Sequence, residues 1–109
     1  MKDLVAKSFD FSIRIVELAN YLAEEHKQYP LIGRLVECGT GIGICLRLSN
    51  ESAKNLQDSY AHAYRLLLET EYLLELLAKT GFVSELQTRP ILTDCRFLKD
   101  GIEKQLIKK

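Results

Sequence analysis

The sequence predicts an all-α protein, an antiparallel up-down-up-down four-helix bundle. In four separate segments apolar residues recur at intervals of three and four, the spacing that places them on one side of a helix. With only 6 Gly and 2 Pro, the chain has few of the turn residues that an all-β domain needs. The links between the segments are short, and short links make consecutive helices run antiparallel.

Length and composition indicate one domain over residues 1–109. An apolar fraction of 47% with a formal net charge of zero excludes a disordered chain and gives no general attraction to nucleic acid or an anionic membrane. The N-terminal segment has no apolar run typical of a signal peptide, and no stretch is long enough to span a bilayer. Together with an odd number of cysteines, three, this predicts a cytoplasmic protein.

The first helix is predicted to begin near Phe9, with Ser8 as its N-cap, and to run to about Lys27. It has a wide apolar side made of two adjacent lines. The core line is Phe11, Ile15, Leu18 and Leu22, and the flanking line is Phe9, Ile13 and Val16.

Pro30 suits the first turn of a second helix, because a proline there loses no helical hydrogen bond. This helix has two apolar lines, which are Leu31, Leu35, Cys38, Ile42 and Cys45, and Ile32, Val36, Gly39, Gly43 and Leu46. The run Gly39, Thr40, Gly41 and Gly43 lowers helix propensity, but the apolar spacing on both sides predicts that the helix continues through it. We interpret these small residues as a packing face that lets a neighbouring backbone approach closely.

The third helix has the most regular spacing, with a second line at Leu66 and Leu73. Its heptad line is Leu56, Tyr60, Ala63, Leu67, Thr70, Leu74 and Leu77. Glu71 and Glu75 form a mildly unfavourable like-charge pair four residues apart. Thr80 and Gly81 are predicted to end the helix, with Gly81 in the left-handed conformation and Phe82 packing back.

Ser84 opens the last segment, and Gln87 three residues later suggests a capping box. Pro90 then leaves two alternatives. Either a short first turn breaks at Pro90, or Thr88 caps the helix and Pro90 lies in its first turn. The core line of this helix is Ile91, Cys95, Leu98, Ile102 and Leu106.

The sequence offers no catalytic constellation, and we expect a non-enzymatic protein without cofactor, metal or small-molecule substrate. The glycine run lacks the Gly-Lys-Ser/Thr ending of a nucleotide-binding loop and the GxGxxG order of a dinucleotide site. Neither His26 nor His62 follows a Glu at the spacing that di-metal bundles use. A Cys-His nucleophile involving His62 would need a tertiary contact.

The three thiols are predicted to be reduced and to serve as small apolar side chains. Cys38 and Cys45 lie two helical turns apart, about 10 Å, which is too far for a disulfide.

Four segments of the sequence carry a family resemblance, and they are residues 7–16, 34–43, 69–77 and 93–95. The most specific segment contains the unusual helical run Gly-Thr-x-Ile-Gly. Together the segments resemble the small bacterial four-helix-bundle proteins found in intervening sequences of 23S ribosomal RNA genes. The accessory variability determinant of diversity-generating retroelements looks like a relative of that family. In two places the chain departs from the family pattern, with Cys45 at the position of an Asn and Leu48 at the position of a Glu.

The resemblance implies a four-helix bundle that forms a ring-like homopentamer, and it motivates our leading hypothesis, a self-assembling interaction or scaffold module. The apolar lines agree with this hypothesis, because they exceed what one bundle core needs. The candidate contacts between subunits are Leu48, Leu66, Tyr72 and Leu73.

The alternative hypothesis is an accessory protein that binds RNA or DNA, since the retroelement relatives bind nucleic acid through a strongly basic surface. The fourth helix carries a modest excess of two positive charges. Its candidate nucleic-acid contacts are Arg89, Arg96, Lys99, Lys104, Lys108 and Lys109.

Overall fold

The computed structural model describes residues 2–25, 30–51 and 56–106, without the side chains of Lys2 and Asn50. Within these ranges the chain forms four α-helices and no β-strand. Helix α1 spans Lys2–Glu24, α2 spans Pro30–Glu51, α3 spans Leu56–Lys79 and α4 spans Glu85–Gln105. The all-α fold class predicted from the sequence is confirmed.

The helices form a closed ring in which each one packs against the helices before and after it, and α4 packs against α1. Over the described residues, the diagonal pairs α1–α3 and α2–α4 bring no Cα atoms within 8 Å of each other. All four neighbouring pairs run antiparallel, because residues in the first part of one helix contact residues in the last part of its neighbour. This is seen at Ser8 with Gly43, Cys45 with Ser59, Tyr64 with Glu103, and Leu4 with Gly101.

The core is built from the predicted apolar lines, one from each helix, closed at one end by Val83. Its fully enclosed side chains are Phe11, Ile15, Leu22, Leu35, Ile42, Leu46, Leu67, Leu74, Leu77, Val83, Leu98 and Ile102. The ends of the predicted lines are only half-buried, at Leu31, Cys45, Leu56 and Leu106.

Four hydroxyl side chains are buried in this core, and each donates to a backbone carbonyl of its own chain segment. They are Ser8, Ser49, Thr70 and Thr88, with donor–acceptor distances from 2.7 to 3.3 Å. Burying a hydroxyl without such a bond costs about 1–3 kcal/mol. The core therefore accommodates these polar groups without leaving their donors unpaired.

Helix α1 begins earlier than predicted, and the N-cap assigned to Ser8 is wrong. Ser8 lies inside the helix, is fully buried, and donates its hydroxyl to the carbonyl of Val5 at 2.8 Å. The added turn is held by Leu4, which is buried against Gly101 of α4. An ideal Cβ on Gly101 would lie 2.6 Å from Leu4 Cδ2, so only glycine leaves room for Leu4 in this position. The predicted end near Lys27 lies outside the described residues.

Helix α3 ends as predicted. Gly81 has a φ of 78°, in the left-handed region that favours glycine. The amide of Phe82 donates to the carbonyl of Leu77 at 3.0 Å, and the amide of Gly81 donates to that of Ala78 at 3.1 Å. This pattern is the Schellman motif, which satisfies carbonyls that would otherwise lack partners at the helix end.

Helix α4 begins with the predicted capping box. The amide of Gln87 donates to Ser84 Oγ at 3.1 Å, and the amide of Ser84 donates to Gln87 Oε1 at 3.0 Å. Both alternatives for Pro90 are wrong, because the helix runs unbroken from Glu85 through Pro90. Thr88 is a buried residue within the helix rather than its cap. The capping box and the burial of Thr88 hold this turn helical despite the amide that Pro90 lacks.

None of the helices in the described ranges is long and apolar enough to cross a membrane.

Candidate functional site

The glycine run of α2 lies against α1 through two of its members. An ideal Cβ on Gly39 would lie 3.0 Å from Ile15 Cγ1. On Gly43 it would lie 3.1 Å from Ser12 Oγ and 3.5 Å from the carbonyl oxygen of Ser8, which is a backbone atom. The absence of side chains at these two positions therefore sets the distance between α1 and α2.

The other members of the run have different surroundings. Gly41 faces α3, where an ideal Cβ would lie 3.2 Å from Leu66 Cδ1. Thr40 donates its hydroxyl to the carbonyl of Val36 at 2.7 Å. Because the run lies inside a continuous helix, its amides donate along the helix and cannot wrap around a phosphate.

The four candidate subunit contacts fall into three environments. Leu48 and Tyr72 have 64% and 63% of their surface exposed. Leu66 is half-buried in the contact with Gly41. Leu73 is only 5% exposed and belongs to the core, so its assignment as a contact between subunits is wrong. Near the C-terminus of α3 the core includes both Leu73 and Leu74, a wider side than the heptad line alone predicts.

Two of the six candidate nucleic-acid contacts are engaged in ion pairs with α3. Arg96 donates to Glu71 at 2.9 Å and to Glu75 at 3.1 Å, while Lys99 donates to Glu71 at 3.0 Å. Arg96 thereby bridges the like-charge pair of α3, a contact that the sequence did not suggest. These carboxylates offset the positive charges that a nucleic-acid surface would need.

The same ion pairs control the ionisation of Glu71. Burial by itself would raise the pKa of the Glu71 carboxyl, but hydrogen bonds from Lys99 and Arg96 outweigh burial and hold that pKa below its usual value. The bond to Glu71 likewise raises the pKa of Lys99. The cluster is therefore an ionised network that ties α3 to α4.

Arg89 and Lys104 are the candidate cations that remain available. Both are exposed, and neither side chain has an ion pair or hydrogen bond to another residue in the described part of the chain. Lys108 and Lys109 lie outside the described residues.

The thiols are free and face backbone carbonyls. Cys38 donates to the carbonyl of Arg34 at 3.0 Å, and Cys95 donates to that of Leu67 at 3.6 Å. Burial raises the pKa of Cys38, and it raises the pKa of Cys95 to about 12. Both thiols are thus protonated at neutral pH, the form that is a poor nucleophile.

A cleft of about 330 Å³ between α2 and α3 brings His62 and Cys38 to the same lining. Among the described residues no hydrogen bond joins these two side chains, as a Cys-His nucleophile would require. The described ranges contain no group of three or more His, Cys, Asp or Glu that could hold a metal ion. His26 lies outside those ranges.

Large apolar side chains remain exposed on the outer surface of α1 and α2. We call Phe9, Ile13 and Val16 the α1 stripe, and each of them is 40–51% exposed. A cleft of about 210 Å³ next to Phe9 is also lined by Thr40, Ile44 and Arg47 of α2, and Arg47 lies over the Phe9 ring at 5.3 Å. The sequence predicted that the α1 stripe belongs to a wide apolar side of the helix, but the bundle leaves the stripe exposed.

A larger groove of about 560 Å³ lies between α3 and α4, and we call it the α3–α4 groove. Half-buried Leu76 and Leu92 and exposed Tyr72 provide its apolar lining. Lys79, Glu85 and Arg89 also line it. The sequence indicated this groove only through Tyr72 and Arg89, which it assigned to two different functions.

These features define a class of protein, a four-helix bundle with uncovered apolar surfaces on its described helices. A solved structure to which it is similar is a protein of unknown function from the S23 ribosomal protein family of Bacteroides thetaiotaomicron. The two share 26% sequence identity with a TM-score of 0.90, over 96% of this chain and 99% of the other. No family model and no curated protein matches the chain.

Proposed function

We propose that this protein is a non-enzymatic, self-assembling bundle related to the 23S rRNA-intervening sequence proteins, and that it acts as an interaction or scaffold module in the cytoplasm. The observation that carries this proposal is the set of large apolar side chains that the bundle leaves exposed on α1 and α2, beside the cleft between these helices. Exposed apolar patches often mark interaction sites. The likeness to a protein from the S23 ribosomal protein family supports the relationship.

The departures from the family pattern favour assembly through apolar contact. Leu48 stands where the family has a Glu, and it is exposed on the outer side of α2. Exposed Ile44 lies one helical turn before Leu48. An apolar residue replacing a carboxylate at this place enlarges the surface that another subunit can cover.

Sedimentation velocity at micromolar concentration tests self-assembly. We expect a particle several times heavier than the 12.5 kDa chain, and five chains if the resemblance extends to the ring-like homopentamer. Leu48→Ser is expected to weaken assembly, whereas Leu73→Ala is expected to lower stability because Leu73 is a core residue. A single 12.5 kDa species at these concentrations would refute the proposal.

A second candidate is RNA or DNA binding, favoured by two exposed aromatic rings that have cations above them. Lys7 Nζ lies 5.2 Å from the ring centroid of Phe97, and Arg47 lies 5.3 Å from that of Phe9. Aromatic rings next to cations can stack on bases while the cations contact phosphates. Arg89 and Lys104 are exposed cations that would add further phosphate contacts.

Titration with labelled ribosomal RNA fragments at about 50 mM and at higher salt tests this candidate, since phosphate contacts are strongest at low salt. Binding that weakens with salt and is lost in Phe97→Ser would support it. An absence of binding at low salt would eliminate it.

A further inference from the structure

We propose that the α1 stripe of one copy docks into the α3–α4 groove of a second copy. This inference rests on the proposed self-assembly and specifies the two surfaces that meet. Three observations support the inference. The first is the apolar lining of the groove, and the second is the helical spacing of the stripe residues. The third is that unpaired charges of opposite sign lie beside the stripe and beside the groove.

The groove can receive a helix. It lies between the C-terminal half of α3 and the N-terminal half of α4, and its lining includes apolar Leu76 and Leu92 with Tyr72 beside them. Hydrophobic grooves between helices are a common docking place for an amphipathic helix presented by a partner.

The α1 stripe has the spacing that such a groove binds. Phe9, Ile13 and Val16 occupy positions i, i+4 and i+7, so they project from one side of α1 over about two turns. That side is opposite the core line of Phe11 and Ile15, both of which are fully enclosed. The stripe is therefore preformed on a rigid helix.

Charges beside the two surfaces are complementary. Beside the α1 stripe, the carboxylates of Asp10 and Glu17 outnumber the one cation, Arg47, which lies over the Phe9 ring. In the groove, Lys79 and Arg89 outnumber the carboxylate of Glu85, because the remaining charged lining residues, Glu75 and Arg96, pair with each other. The side chains of Asp10, Glu17, Lys79 and Arg89 have no ion pair or hydrogen bond to another residue in ranges 2–25, 30–51 and 56–106. Opposite charges at the rim of an interface guide the encounter and select the register.

One copy cannot satisfy its own surfaces. The stripe borders the α1–α2 cleft, whereas the groove lies between α3 and α4, on the opposite side of the four-helix ring. The contact therefore joins two different surfaces. When two copies meet, the groove of one copy and the stripe of the other remain free to bind further copies. Such head-to-tail contacts generate a closed ring when the rotation between copies closes, and a filament otherwise.

Charge reversal at each surface tests this arrangement by sedimentation velocity in about 50 mM salt, where screening is weak. The first variant carries Asp10→Lys and Glu17→Lys, the second Lys79→Glu and Arg89→Glu, and the third all four changes. We expect each of the first two to raise the concentration needed for assembly about tenfold or more, and the third to restore assembly. Circular dichroism checks that each variant is folded.

A matched control carries Arg65→Glu and Lys104→Glu, which change the net charge as much as the second variant does but lie on neither surface. We expect it to assemble like the unaltered protein. If the unaltered protein assembles and the first two variants assemble equally well, or if the third fails to recover, the docking of stripe into groove is overturned while self-assembly stands. If the unaltered protein is a monomer, both proposals fail.

Discussion

Gly43 shows at the level of single atoms how α2 fits against α1. An added Cβ would meet the hydroxyl of Ser12 at 3.1 Å, and that hydroxyl already donates to the carbonyl of Ser8 at 3.0 Å. A larger side chain would therefore have to displace both the Ser12 hydrogen bond and the backbone of α1. Gly33, in the first half of the same helix, has no atom within 4 Å of the corresponding position.

We expect Gly43→Leu to lower the free energy of unfolding by about 1–3 kcal/mol or more, because it overpacks the α1–α2 contact. Urea denaturation followed by circular dichroism measures the change. The control is Gly33→Leu, which should leave stability unchanged or raise it by up to about 1 kcal/mol through better helix propensity. A Gly43→Leu protein as stable as the unaltered one would mean that the two helices are not in close contact there.

The sequence predicted the packing role of the glycine run but not the role of Ser8. Small residues at helical spacing indicate a close approach whichever helix provides the neighbour. Whether Ser8 caps a helix or donates within it depends on the residues before it. These are helical because Leu4 finds space over Gly101, a contact between positions far apart in the chain. No local pattern contains that information.

Helix α4 lacks one backbone hydrogen bond at Pro90, and other residues of the helix keep it continuous. Pro90 is the sixth residue of the helix, beyond the first turn, so it removes a hydrogen bond that the helix would otherwise form with Leu86. The capping box at Ser84 and the buried side chains of Thr88 and Ile91 keep the backbone helical on both sides.

We expect Pro90→Ala to raise the free energy of unfolding by about 1–2 kcal/mol. The cost of an interior proline is about 3 kcal/mol, and the lost restriction of the unfolded chain offsets up to about 1 kcal/mol of the gain. Pro90 is exposed, so the substitution disturbs no core contact. Thermal and urea denaturation measure the change in the free energy of unfolding. A Pro90→Ala protein less stable than the unaltered one would show that the helix is not continuous at this residue.

The pairing of α3 with α4 depends on the ionisation of Glu71. Its pKa in the folded protein is below the ordinary value of 4.5, so its contribution to stability is fully present above that value. The contribution is lost as the pH falls through the lowered pKa, when the carboxylate takes up a proton and releases Lys99 and Arg96. The ion pairs should therefore support the fold at neutral pH and fail in acid.

We expect Glu71→Gln to lower the free energy of unfolding by about 1–3 kcal/mol at pH 7, because it removes charge-assisted hydrogen bonds from a mostly buried position. The difference from the unaltered protein should shrink as the pH falls below about 4.5. Glu75→Gln is the control, because Glu75 is exposed and binds only Arg96. A difference independent of pH would show that Glu71 acts through packing alone.

The apolar spacing predicted the buried sides of α3 and α4 correctly, but it did not predict the ion pairs between these helices. Glu71 and Glu75 were expected to repel each other mildly, and within an isolated helix they would. In the folded protein this repulsion is offset by Arg96 of α4, whose guanidinium binds both carboxylates. Side-chain ion pairs between helices depend on their relative shift along the bundle axis, and the apolar lines do not determine that shift.

On the scale of the whole molecule, the architecture followed from the sequence and its surfaces did not. Four apolar lines joined by short links allow few arrangements other than an antiparallel ring of helices. The lines alone could not show which apolar residues the ring would cover. Leu73 was expected outside and lies inside, and the α1 stripe was grouped with the buried side of its helix but is exposed.

The four contacts between helices in the ring differ in how far apart their residues lie along the chain. Three of its four contacts join consecutive helices, so each can form after closure of a short loop. The contact between α1 and α4 is different, because Leu4 meets Gly101 across almost the whole described chain. The ring is therefore closed by its most distant partners.

The α1–α4 contact can affect the unfolding rate of the protein without affecting its folding rate. If the α1–α4 contact forms after the transition state, Leu4→Ala, which removes the side chain that packs on Gly101, should hasten unfolding and leave refolding unchanged. Stopped-flow denaturant jumps below the assembly concentration measure both rates. Slower refolding with unchanged unfolding would place the closure early. If the contact forms late, burial of α1 in an assembled particle would stabilise the α1–α4 contact in the folded state only. Assembly would then slow unfolding without changing the folding rate.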